Sequence, residues 1–302
     1  MSTSPPLPNH LVVVCGHGIW QGGPANGHDE SEWLIESYKA GETPTFIEHI
    51  KAGIQVLAND ESAVVAFSGG PTRKETPLSE ARSYANLAAA NNYFGLLKDG
   101  DATSTTQEPH PLSPIPLHRR IIVEEQALDS YYNILFSLIA FWRHVNKIAA
   151  STSTPLPSPS AWPVRLTIVS HAFKKSRLVG DHCGPDAIAF LPLESRVNFM
   201  GINPPNLPAE FGGASNNSNK PAVSEDKQKA MQGAHTVLDH WAVDPHGVGE
   251  ILAGKRRARN PWNASQLLFV DDEERQRSGL QTRMVGSDME AITEGIDRPW
   301  NT

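Results

Sequence analysis

The chain has 302 residues, enough for one large domain or two small ones, and 39% apolar against 20% charged residues marks a packed core. Its formal charge of −7 excludes broad nucleic-acid binding, which needs clustered Lys and Arg. No apolar run approaches the roughly 20 residues of a membrane span. The two cysteines, Cys15 and Cys183, make no disulfide framework, and residues 1–9 show no basic-then-apolar leader, so the expected location is the cytoplasm.

In chain order, a Ser- and Pro-rich tail over 1–9 is expected to be disordered. Five short Val- and Ile-rich runs follow, at 11–15, 63–67, 121–123, 164–169 and 187–191. Continuous apolar runs of this length suit strands buried on both faces. Helical patterns lie between them. Residues 46–58 place Phe46, Ile50, Ile54 and Leu57 near one stripe. Residues 79–91 open on a plausible cap, Ser79. Residues 130–148 are apolar almost all round and should form the most buried helix. Stretches 99–116 and 149–163 read as surface insertions, and 204–223 as a mobile loop. Helices are expected at 225–241 and 248–259. Residues 271–302 are charged, weakly patterned and expected to be a flexible tail. The fold class is therefore α/β, a Rossmann-like, doubly wound and mainly parallel sheet. One domain should span 10–203, with a C-terminal helical extension over 224–270.

Polar residues close four of the runs: Gly16 and His17 after the first, Ser68, Gly69 and Gly70 after the second, Glu124 after the third, Ser170 and His171 after the fourth. In an open α/β sheet these ends share one edge, where ligands bind. Gly16-His17-Gly18 begins like a dinucleotide fingerprint, but Gln21 stands at the third glycine and no acid ends the second run, which argues against a nicotinamide cofactor. Ser68–Gly70, with Thr72 and Arg73, reads as a phosphate or carboxylate cradle. Lys174, Lys175 and Arg177 add positive charge. Glu80, Glu124, Asp129, Ser130 and Asn133 are candidates for ligand hydroxyls or amines, although Glu80, Asp129 and Ser130 would serve equally as helix caps. His171 and Glu124 are the candidate catalytic groups. The other histidines, His49 among them, show no metal-ligand spacing, and no metal is expected.

These residues resemble the YdcF/SanA/ElyC-like family, a domain of unknown function. The likeness rests on Phe67-Ser68-Gly69-Gly70, on Ser79-Glu80-Ala81, and on Glu124 with Asp129, Ser130 and Asn133. Ser130 replaces a usual Thr and Tyr132 a usual Glu. Arg177 fits the family's closing His-x-x-Arg, while Lys174 replaces its His. Cys15-Gly16-His17, Lys174, Asp244-Pro245-His246-Gly247 and the run 255–261 are similar to a fungal-type branch. The motifs cover roughly residues 11–193, and extend to 261 for the branch. The resemblance implies a Rossmann-like fold, with S-adenosylmethionine or nucleotide binding suggested for some members.

The leading functional expectation is a cytosolic protein that binds a small anionic or nucleotide-like ligand at the strand ends, without nucleic-acid or membrane partners. An alternative is a serine esterase using Ser68, Asp129 and His171 in the chain order of α/β-hydrolases. Another is a non-enzymatic sensor or scaffold, suited by the Ser/Pro insertions and the basic C-terminal helix.

Overall fold

The computed structural model describes residues 6–97, 117–152, 161–211 and 223–301. The expected insertion at 99–116 lies outside them, as do 1–5 of the N-terminal tail, 153–160 of the second insertion and 212–222 of the third. The central sheet has five parallel strands: β1 (His10–Cys15), β4 (Ala63–Ser68), β5 (Ile121–Glu124), β6 (Arg165–Ser170) and β7 (Val197–Gly201). Their order is β5-β4-β1-β6-β7. Strands β2 (Ile19–Trp20) and β3 (Trp33–Leu34) form a separate small hairpin.

Burial on both faces explains the unbroken apolar runs. On one face Leu11, Val13, Val64, Ala66, Leu166 and Ile168 pack under helix α3 (Ser130–Thr152). On the other Val12, Val14, Val65, Phe67 and Val169 pack under α1 (Thr43–Asn59) and α2 (Glu80–Ala90). Ser79 caps α2 by accepting from the Arg82 amide at 2.8 Å. The register is level at the carboxyl edge, with Cys15 opposite Ser68 and Ser68 opposite Glu124. After β5 the chain crosses β1 and returns as β6, so strand order reverses between β1 and β6. A crevice opens at such a switch point.

Two expectations are corrected. Residues 187–191 bury Ala187, Ile188 and Phe190 but do not form a strand. Their amides bond back locally, Ile188 to the His182 carbonyl and Phe190 to that of Cys183, both at 3.0 Å. The fifth strand is β7, a half-exposed edge whose polar Asn198 and Gly201 break any apolar run. The segment from 271 is also no flexible tail. It forms helix α6 (Asp272–Ser278) and a hairpin of β8 (Thr282–Val285) and β9 (Met289–Ile292), and it buries Ile292 and Trp300 in the core under α3. Before it, α4 (Glu225–Val243) and α5 (Glu250–Ala258) cover the crevice. Among the described residues no helix is long and apolar enough to cross a membrane.

Candidate functional site

The ends of β1 and β6, the first turn of α2, the start of α3 and the covering helices α4 and α5 enclose a cavity of about 430 Å³. Of the residues expected from sequence, the wall contains Gly16, His17, Thr72, Glu80, Asp129, Ser130, Asn133, Ser170, His171, Lys174 and Arg177. Ser68, Gly69, Gly70, Arg73, Glu124 and Lys175 do not line it. Arg73 is paired with Glu36 at 3.0 Å, and Lys175 is exposed.

Glycine at 16 follows from close packing. A Cβ there would stand 2.6 Å from Glu80 Cβ, and one at Gly69, where φ is +152°, 2.8 Å from Glu80 Oε2. Small residues thus let the first turn of α2 bring the Glu80 carboxylate between two strand ends. Thr72 Oγ1 donates to Glu80 Oε1 at 3.0 Å, and burial raises the Glu80 pKa.

The glycine loops are not an anion cradle. The Gly16 amide donates to the Ser68 carbonyl at 2.8 Å and the His17 amide to Tyr84 Oη at 3.1 Å. Gly69 and Gly70 donate to the carbonyls of Glu124 and Ala127 at 3.0 and 2.6 Å. These donors are consumed in holding the loops together. Ser68 Oγ donates to Glu124 Oε2 at 2.6 Å, and Glu124 Oε1 accepts from the Gln126 and Ala127 amides at 2.6 and 3.1 Å. Glu124 is therefore the buried post of a turn, with its pKa raised by burial to about 7.

No Ser68–Asp129–His171 triad forms either. Asp129 caps α3 by accepting from the Tyr132 amide at 3.0 Å, and its other oxygen accepts from Arg256 Nε at 2.7 Å. Ser68 Oγ is committed to Glu124, and among the described residues His171 has no hydrogen-bond partner on either ring nitrogen.

Charge in the wall is lopsided. Seven cationic side chains (Lys39, Lys174, Arg177, Lys227, Lys255, Arg256 and Arg259) face four carboxylates (Glu36, Glu42, Glu80 and Asp129). Three carboxylates are already paired: Glu36 with Lys39 at 2.7 Å, Glu42 with Lys227, and Asp129 with Arg256. Lys174, Arg177, Lys255 and Arg259 remain without a carboxylate partner, against Glu80 alone. Burial, with Arg177 and Lys39 close by, pushes the Lys174 amine down to about 7. Burial and Arg259 also lower the Arg177 pKa, and Arg177 Nε has no hydrogen-bond partner.

Sequence reading missed Lys39, Lys227 and Arg259 as site residues; they come from a short 3-10 turn at 37–39, from α4 and from the C-terminal cap of α5. Lys255, Arg256 and Arg259, at the end of the basic C-terminal helix, are part of the site. Arg256 is buried, donates to the Gly247 carbonyl at 2.9 Å and lies 4.2 Å above the Tyr132 ring.

Three imidazoles meet beside the cavity, which His17 and His171 line and His49 does not. His17 stacks on His171 with ring centroids 4.2 Å apart, and His49 of α1 meets both edge-on at 5.3 and 5.1 Å. Burial lowers all three pKa values, that of His49 to about 4, so the rings are neutral.

Fold and site together define an α/β protein of Rossmann-like architecture with a cation-rich cavity at its topological switch point. The chain matches no family model, no curated protein and no solved structure.

Proposed function

We propose that this chain binds a small anionic ligand, bearing phosphate or carboxylate, in the switch-point cavity. The supporting observation is the excess there of cations without a carboxylate partner, in a chain whose net charge is −7. Lys174 and Arg177 are desolvated side by side, which is costly unless an anion compensates them, whereas Lys255 and Arg259 are exposed. Lys174 and Arg177 would hold the anionic group, Arg177 through its planar fork, and Glu80 would accept from a ligand hydroxyl. A volume of about 430 Å³ suits a nucleotide-sized molecule, and Tyr38, Phe173 and Trp241 in the wall offer apolar surface for a base. S-adenosylmethionine, with its sulfonium and ammonium charges, suits this wall less well than a phosphate ester. Kinship with the YdcF/SanA/ElyC-like proteins, and a cytoplasmic location, belong to the same proposal.

The test is a thermal-shift screen of sulfate, phosphate, nucleotides and S-adenosylmethionine on the full chain, followed by calorimetry. Phosphate-bearing ligands should raise Tm. Arg177→Ala should weaken binding about tenfold to a hundredfold, the loss of one charge-assisted contact. Arg82→Ala, on an exposed pair with Glu125 outside the cavity, should bind as wild type does. Wild-type affinity in Arg177→Ala would remove that residue from the site. No response to any anion would end the reading.

A further inference from the structure

A buried imidazole normally has partners for its nitrogens. His171 is 3% exposed and, among the described residues, neither of its ring nitrogens has a hydrogen-bond partner; His49 is fully buried and its Nδ1 has none there either. One nitrogen from each of His17, His49 and His171 lies within 4.8 Å of those of the other two. Three orphaned or weakly satisfied nitrogens converging on one point call for one shared partner.

We propose that His17, His49 and His171 form a binding site for one divalent transition-metal ion of the zinc type. Three imidazoles with a fourth position open to a cavity are the donor set of catalytic rather than structural zinc. An oxygen already stands against Nε2 of each ring. Ser170 Oγ is 3.2 Å from that of His17, the Ile202 carbonyl 2.9 Å from that of His49, and Glu42 Oε2 3.6 Å from that of His171. The Ile202 carbonyl can only accept, so it fixes the His49 tautomer and leaves Nδ1 of that ring for a metal, while His17 and His171 each offer one nitrogen. Neutral rings are the binding form. Ligand nitrogens on a tetrahedral ion are roughly 3.3 Å apart, so each ring closes by under about an ångström, and the His17–His171 stack tilts open. The Lys174 amine, 3.3 Å from His17 Nδ1, gives way to the ion. Phe46 and Phe173 pack against the rings. The site adds to the anion reading without depending on it. An ion here would offer its open position to one oxygen of a bound anion.

The test uses metal alone. Chelator-stripped full chain is titrated with Co²⁺ and with Zn²⁺ in anion-poor buffer. The expected result is one equivalent bound, visible d–d bands of a four- or five-coordinate Co²⁺, and paramagnetically shifted ring protons from three imidazoles. His49→Gln and His171→Gln should each lose at least a hundredfold in affinity, while His28→Gln, at an exposed histidine, should not change it. If either cavity variant fails to fold, the wild-type spectrum still decides. Absence of stoichiometric binding by wild type overturns the proposal. So does a bound ion whose spectrum lacks imidazole, or one retained equally by both folded variants. Sulfate binding by the stripped chain would show that failure here leaves the anion reading standing.

Discussion

At the scale of single residues, Lys174 carries the clearest consequence. Its amine is pushed down from 10.5 to about 7 by burial, and Arg177, Lys39 and Arg259 reinforce the shift. Below about pH 7 the folded chain keeps this charge at a cost. Between about 7 and the unfolded value, the unfolded chain holds a proton that the folded chain has released, so this group makes stability rise with pH. Anion binding runs the other way, because an anion favours the charged amine and draws a proton in. His17, His49 and His171 have pKa values below this window and do not titrate in it. Sulfate, which carries constant charge here, should bind more tightly near pH 6 than near pH 8, by at most about tenfold per pH unit. Calorimetry in buffers of different ionisation enthalpy should show proton uptake on binding. Lys174→Met should flatten the profile, and a flat wild-type profile would remove Lys174 from the anion contact.

At the scale of elements, the sheet holds its helices at distances set by small residues. Gly53 sits on the face of α1 that meets β1, and a Cβ there would stand 2.4 Å from Val14 Cγ2. Val14 is fully buried in the central strand, and its branched side chain has little room to turn. Gly53→Ala therefore gains up to about 1 kcal/mol of helix propensity but overpacks the α1–β1 contact by about 1–3 kcal/mol. Urea unfolding should show net destabilisation. A variant more stable than wild type would mean that α1 rides further from the sheet. Because α1 also carries His49, the same change should weaken the metal binding proposed above.

At the scale of the whole molecule, the C-terminal segment behaves as part of the core. Glu290 on β9 is 1% exposed; it accepts from the Leu268 amide at 2.9 Å and from Arg275 Nε at 2.8 Å. Tyr132 Oη donates to the Glu290 carbonyl at 3.0 Å, which ties the hairpin to the start of α3 and hence to the cavity. Truncation after Val270 should lower Tm by more than ten degrees, or abolish cooperative unfolding, since it uncovers the apolar surface now under Ile292 and Trp300. A truncated chain with wild-type Tm by calorimetry would restore the reading of this segment as a tail.

The sequence by itself determined four of the five strands of the central sheet and the edge where the site lies. Buried parallel strands write themselves as unbroken apolar runs, and their polar ends mark the carboxyl edge, as at Cys15-Gly16, Ser68 and Ser170-His171. It did not separate 187–191 from a strand, because apolar content records burial and not hydrogen-bond direction. Nor did it find β7, whose half-exposed face leaves no run. The roles of site residues were decided only in three dimensions. Whether a glycine amide is free depends on which carbonyl the fold places against it, and here the carbonyls of Ser68, Glu124 and Ala127 take all three. Whether a cation is available depends on which carboxylate lies within reach, so Arg256 is spent on Asp129 while Arg177 is not. His49, His17 and His171 have no shared spacing in the chain, and they meet because α1 packs across the ends of β1 and β6. Local chemistry sets what a residue can do; packing across distant segments decides which partners have already used it.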